Sequence, residues 1–268
     1  MLYRLLVSAC LLGACLSNAA AEEKDPRPAA GLQDNSFLIE EAYNQDPGMV
    51  QHTALLRRQG KDWSLNFSQE WPITSQTHQF SYAVPYLWLR SDGQHASGFG
   101  DVQFSYRYQL ATETFNRPAI APRISVIAPT GRESAGLGNG SVGYQFNLPV
   151  SKIVSDRVTL HANAGLTTYA DVAGRQPTSY NLGASAIYAI TRHTNVLLEV
   201  LGDWTETVTP ASTAEREFAL TLVPGVRHAV DLWGGQLVLG LASPIAIVDR
   251  KADYGALFLV SFEHDFTR

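Results

Sequence analysis

Charged side chains recur on alternate positions of segments whose other positions are apolar. Glu70, Arg107, Arg123, Arg157, His161, Glu199, Asp203, Glu217, Arg227, Glu263 and Asp265 all fall on the polar parity of such segments. If those segments close into a sheet with one face inside, each charge needs water or a partner there. Two chemistries follow. The charges form salt-bridge ladders that stiffen an interior, or they line a polar constriction through which a solute passes. Glu70, Arg107, Arg123, His161, Glu199 and Arg227 are the candidate solute contacts. Arg107 and Arg123 lie on consecutive antiparallel segments and should meet across the turn at 112–117. Like charges side by side repel unless a carboxylate, water or anion separates them. Glu70 is the candidate structural partner. One carboxylate does not offset two guanidiniums, so the pair is expected to form an electropositive band suited to an anionic head such as an aromatic carboxylate.

The residue types of covalent catalysis are present without its spacing. His161 sits on a polar parity with Asn163 and Thr167, His193 in a short turn, and His228 and His264 near segment ends. Asn139-Gly140-Ser141 is a loop-to-strand turn with no nearby histidine in sequence, and no G-x-S-x-G elbow occurs. A lipid-modifying enzyme would need a Ser–His pair at the lipid edge, which parity does not supply. The histidines are scattered, so no metal pattern forms. The run T-G-R-E-S-A-G-L-G-N-G at 130–140 contains G-x-G, but a strand rather than a helix follows, so it is not a dinucleotide loop. No catalytic residue, metal or cofactor is therefore expected.

The elements that must position these residues are strands. In Asp101–Leu110, Val102, Phe104, Tyr106, Tyr108 and Leu110 oppose Asp101, Gln103, Ser105, Arg107 and Gln109. Ser141–Val150 and Asp62–Pro72 repeat this period of two. It is the pattern of a transmembrane barrel, apolar toward lipid and polar toward the lumen. Candidate strands lie near 49–58, 62–72, 76–90, 98–111, 118–130, 139–151, 156–170, 177–191, 194–207, 215–229, 235–249 and 253–266. The expected fold is an all-β, up-and-down antiparallel barrel of about twelve strands over 47–268. An even count places both termini on the periplasmic side, which makes the Gly- and Ser-rich connections at 91–100, 130–140, 173–179 and 209–216 outer loops.

Residues 1–21 look like a secretory signal: Arg4, an apolar core from Leu5 to Leu16, and Ala19-Ala20-Ala21 as a cleavage site. Leu12-Gly13-Ala14-Cys15 also resembles a lipobox, in which Cys15 would carry lipid. Cys10 and Cys15 are both lost on cleavage after Ala21, which excludes disulfides from the mature chain. The 20 Lys+Arg against 25 Asp+Glu give a mildly acidic balance, unsuited to nucleic acid. Residues 22–46 form a separate segment, either a periplasmic tail or a small plug, with a short helix over Ser36–Tyr43 capped by Asp34 or Ser36. In the last segment, Tyr254, Phe258, Val260, Phe262 and Phe266 share one parity. Asp253-x-Gly255-x-x-Phe258-x-Val260 resembles the insertion signal of outer-membrane barrels, with Gly255, Phe258, Val260, Phe262 and Phe266 as the residues read by the assembly machinery. The expected location is the Gram-negative outer membrane, and the expected partners are its lipids, that machinery and a small-molecule solute, with the chain a monomer.

Several stretches together resemble one family, the outer-membrane barrels labelled for the MetA pathway of phenol degradation. They are Q-D-N-S-F-L-I-E-E-A-Y-N-Q at 33–45, G-F-G-D-V-Q-F-S-Y-R-Y-Q-L at 98–110, R-I-S-V-I-A-P-T-G at 123–131, G-N-G-S-V-G-Y-Q-F-N-L-P-V-S at 138–151 and L-H-A-N-A-G at 160–165. The resemblance implies an outer-membrane barrel that takes up small hydrophobic or aromatic compounds. It brings no catalytic or ligand-binding residues with it. The alternatives are a lipid-modifying enzyme and a closed structural or adhesive barrel whose loops do the work.

Overall fold

The computed structural model describes residues 32, 36–90, 95–209, 213–232 and 234–267. Twelve antiparallel strands close into a barrel. They are β1 (Met49–Gln59), β2 (Asp62–Ile73), β3 (Ser75–Leu89), β4 (Ala96–Phe99 continued by Val102–Tyr108), β5 (Ala119–Ile120 continued by Arg123–Ala128), β6 (Gly143–Ser155), β7 (Val158–Tyr169), β8 (Thr178–Ala189), β9 (Thr194–Val208), β10 (Ala214–Leu232), β11 (Gly235–Ala242 continued by Ile245–Val248) and β12 (Lys251–Asp265). Three strands are therefore interrupted where the sequence pattern reads straight through. At Gly100-Asp101 the register on β3 slips by one residue. At Ala121-Pro122 and Ser243-Pro244 a proline removes a ladder donor. Ser243 offsets part of the second loss, since its hydroxyl donates to the carbonyl of Gly255 at 3.2 Å.

Each strand pairs with its neighbour in sequence. β1 and β12 close the ring along a ladder from Met49↔Asp265 to Gln59↔Gly255. Closure leaves no open edge, which is what allows a sheet to stand in hydrocarbon. Burial in the wall runs opposite to that of a soluble protein. On β4, Phe104 is 45% exposed while Arg107, on the other parity, is 3% exposed. Phe146, Leu182, Leu198, Leu241 and Val260 join Phe104 on the outer surface. An apolar belt of this extent has to be covered by lipid. Toward the end where β1 begins and β12 finishes, Trp71 packs on Phe266 at 5.5 Å and Phe262 stacks with His264 at 5.3 Å, the aromatic rim usual for such barrels.

Residues 1–31, including the expected signal and the lipobox, lie outside the described residues, as does Asp34. Ser36–Tyr43 forms no helix. It runs as an irregular, extended segment inside the barrel. A helix would satisfy its own amides. Here the lumen wall bonds them one by one, and a chain held this way gains nothing by coiling.

Candidate functional site

Lumen side chains bond the backbone of residues 36–46 along most of its length. The amide of Phe37 donates to Glu199 at 2.7 Å and that of Leu38 at 3.0 Å. The amide of Glu40 donates to Asn163 Oδ1, that of Ala42 to Ser151 Oγ, that of Asn44 to Gln109 and that of Gln45 to Gln79. The carbonyls accept in turn. Asn163 donates to Glu40 O at 2.8 Å, Gln109 to Ala42 O at 2.8 Å and Arg107 to Tyr43 O at 2.7 Å. Three strands, β6, β7 and β9, and two more, β3 and β4 with Gln109 just past its end, supply these groups, all from inward parities.

The side chains of the segment divide between two kinds of wall. Glu40 pairs with Arg123 at 2.5 Å, Asn44 accepts from Arg107 at 2.7 Å, and Tyr43 bonds Glu113 of the 112–117 turn. Phe37 and Ile39 point the other way. Phe37 packs with Ile187, Leu197, Val223, Ala242, Leu257 and Leu259, flanked by Leu38, Leu55 and Leu201. Its ring lies over Gly225 and Gly240, and Ile39 lies over Gly183. A Cβ added at those glycines would sit 2.4, 2.7 and 2.4 Å from the side chain above it. The inward parity of β9–β12 thus carries an apolar patch beside the buried Asn195, Glu199 and Arg227, and the expectation of a polar lumen fails for that patch.

Two cavities flank the segment. One of about 230 Å³, toward the loops, is lined by Glu40, Arg123, Asn147, Asn181 and Asp203. The other, of about 560 Å³, lies toward the end where β1 begins and β12 finishes and is lined by Tyr43, Asn44, Ile153, His161, Ile187 and Arg227. The segment lies between them. Above the first, the 131–141 loop folds inward with Leu137 at 3% exposure, and Asp101 accepts from the amides of Gly131 and Asn139.

The predicted residues come together here with altered partners. Arg107 and Arg123 are directly opposite each other, as expected. The electropositive band is not: Glu70 lies 3.4 Å from Arg107, and Glu40 chelates Arg123 through both oxygens. The second carboxylate comes from the inner segment, whose position strand parity does not reveal. Glu70 also accepts from Gln79 at 2.5 Å. Glu199 is fully buried, and Arg227, 1% exposed, donates to Asn195 at 3.2 Å. Asp203 lines the loop-side cavity, and Glu263 the opposite one. Arg157 is corrected. It belongs to the exposed turn before β7, at the rim of the larger cavity, and reaches Tyr188 on the outer face at 3.4 Å, because the strand starts only at Val158. Glu217 is exposed at the loop end of β10, and Asp265 is bonded to Thr267 at the other end. In the last strand, Phe258 and Val260 face outward at 44% and 46% exposure, while Gly255 faces inward against the backbone of Arg58.

Ser151 and His161 form a Ser–His pair, at 2.7 Å, that strand parity alone did not reveal. Ser151 is 1% exposed and its Oγ also receives the Ala42 amide. The pair therefore clamps the segment.

The family described as "Putative MetA-pathway of phenol degradation" matches residues 41–242. The chain belongs to that family. No curated protein matches the sequence. Among solved structures, the COG4313 outer membrane channel from Pseudomonas putida F1 superposes with a TM-score of 0.64 at 10% identity, over 87% of this chain and 99% of the other. The KdgM porin superposes at 0.52 with 11% identity, over 81% and 99%. At such identities the likeness is one of fold: this member of the MetA-pathway family has the closed barrel of outer-membrane channels.

Strand parity placed Arg107, Gln109, Asn163 and Glu199 on the inner face, but gave no sign that they, with Gln79 and Ser151, hold a segment. It also missed Gly183, Gly225 and Gly240. The available signal was glycine on the inward parity of strands otherwise rich in Val and Leu, since a glycine inside a strand often marks a close approach.

Proposed function

We propose that this chain is a monomeric outer-membrane channel for small hydrophobic or aromatic solutes, exported by its first 21 residues, with residues 36–46 as a plug. The observation that carries the reading is the apolar sector of Leu55, Leu197, Val223, Leu257 and Leu259 on the inner side of a lipid-facing wall. Apolar inner side chains offer an apolar solute contacts that polar ones would not. The two cavities on either side of residues 36–46 support a conduit that is closed at one level. Family membership points the same way, as do the channel folds it superposes on.

A passive conduit is favoured over a lipid-modifying enzyme. Ser151 is buried in the lumen beneath the Ala42 amide, and among the described residues no carboxylate is hydrogen-bonded to His161. Lipid has no route to that hydroxyl. The test is uptake of labelled toluene by a strain lacking the gene, with and without a plasmid copy. Restored uptake of toluene, without a matching gain for a polar solute of similar size, supports the reading. Equal toluene uptake with and without the plasmid removes it.

A further inference from the structure

The recess beneath Phe37 has the form of a binding site. Its floor is two glycines on adjacent strands, Gly225 of β10 and Gly240 of β11. One added carbon at either would fall within 2.7 Å of the phenyl carbons, so the slot admits the thickness of a flat ring and nothing thicker. Its sides are Val223, Leu257 and Leu259, each no more than 4% exposed. At its mouth Glu199 accepts the Phe37 amide at 2.7 Å. Flat apolar walls with one acceptor placed beside them are how small-molecule sites fix orientation.

Phe37 belongs to an irregular segment, not to a strand or helix, and its backbone is held by side chains that water or solute could replace. We propose that the slot is the channel's seat for a solute that carries a single aromatic ring with a hydrogen-bond donor on a two-carbon arm, and that Phe37 fills it as an internal surrogate which the solute displaces. The ring, arm and donor correspond to the phenyl group, the Cβ–Cα unit and the amide of Phe37. This rests on the channel reading and deepens it. It supplies the ligand class, and it ties entry of solute to release of the plug, since the group that leaves the slot is part of the plug. A solute without that differential affinity would leave the closed state undisturbed.

The experiment places 4-fluorophenylalanine at position 37 of the full chain in detergent and follows its fluorine resonance during titration. The probes are 2-phenylethanol and its saturated counterpart 2-cyclohexylethanol, which carries the same arm and hydroxyl on a thicker ring. A second label at Phe104, on the outer wall, reports partition into the micelle. The expected result is a saturable move of the position-37 resonance to a solvent-exposed value. It should occur at a 2-phenylethanol concentration at least tenfold below that needed for 2-cyclohexylethanol, with no such difference at position 104. Gly240→Val should show the exposed value before any ligand and no response afterwards, with heat-modifiable gel mobility confirming a folded barrel. An unchanged position-37 resonance up to saturation, or equal potency of the two alcohols, overturns the seat. Displacement without uptake of labelled 2-phenylethanol in cells keeps the seat and removes the conduit; uptake without displacement does the reverse.

Discussion

The two sides of the lumen hold one short segment by opposite means. From β2 to β8 the inward positions are carboxamides, hydroxyls and paired charges, and they grip the backbone of residues 40–45. From β9 to β12 the inward Leu197, Val223, Gly225, Gly240, Ala242, Leu257 and Leu259 form an apolar patch among polar neighbours such as Asn195, Glu199 and Arg227, and with Ile187 of β8 that patch grips the side chain of Phe37. The contrast separates two tasks. Each polar contact on the first side has one geometry, so that side fixes where the segment lies. Apolar contact is non-directional, so the second side can accept another group of the same shape. Glu199 belongs to β9, at the border between the two, and bonds the amides beside Phe37.

Removing Phe258–Arg268 should have the largest effect. It takes away much of β12, and with it the β1 seam and Leu259 of the apolar sector. Each backbone group left open in lipid costs several kcal/mol. No heat-modifiable protein should reach the outer membrane; normal insertion would show that the seam is not needed. On the polar side, Arg107→Ala with Arg123→Ala leaves Glu70 and Glu40 without their cations. Breaking a buried pair of this kind costs about 3–5 kcal/mol, discounted here for the partial exposure of Glu40. The double variant should loosen the plug and raise ion conductance in planar bilayers while the barrel still inserts. A conductance equal to the parent's would mean that the polar side does not fix the segment.

Across the wall, Phe104→Arg places a cation in hydrocarbon at a cost of roughly 2–4 kcal/mol near the midplane. The folded fraction in urea titrations of lipid-reconstituted protein should fall accordingly. The smallest effect is expected on the apolar side. Val223→Thr keeps the volume and adds a hydroxyl without a partner, worth about 1–3 kcal/mol. It should reduce toluene uptake and leave ion conductance at the parental value. A change in conductance instead would erase the distinction between the sides.

Barrel, strand parity and lumen charges were legible because a period of two is written in each strand separately. Arg107 against Arg123 followed from a single turn. The partner of Arg123 did not, since Glu40 reaches it from a segment with no periodicity to place it. The apolar sector was hidden for a related reason. In β12, Leu257 and Leu259 alternate with Phe258 and Val260, so a run apolar on both parities reads as one outward face. The helix expected at Ser36–Tyr43 rested on local preference, and lumen side chains of β4, β6, β7 and β9 bond its backbone instead.

Planar-bilayer recording of the chain with residues 36–46 deleted tests the central claim most directly. If those residues close the lumen between its two cavities, single-channel conductance should rise at least tenfold over the parent, with heat-modifiability retained. A folded deletion variant that conducts no better than the parent would contradict the account.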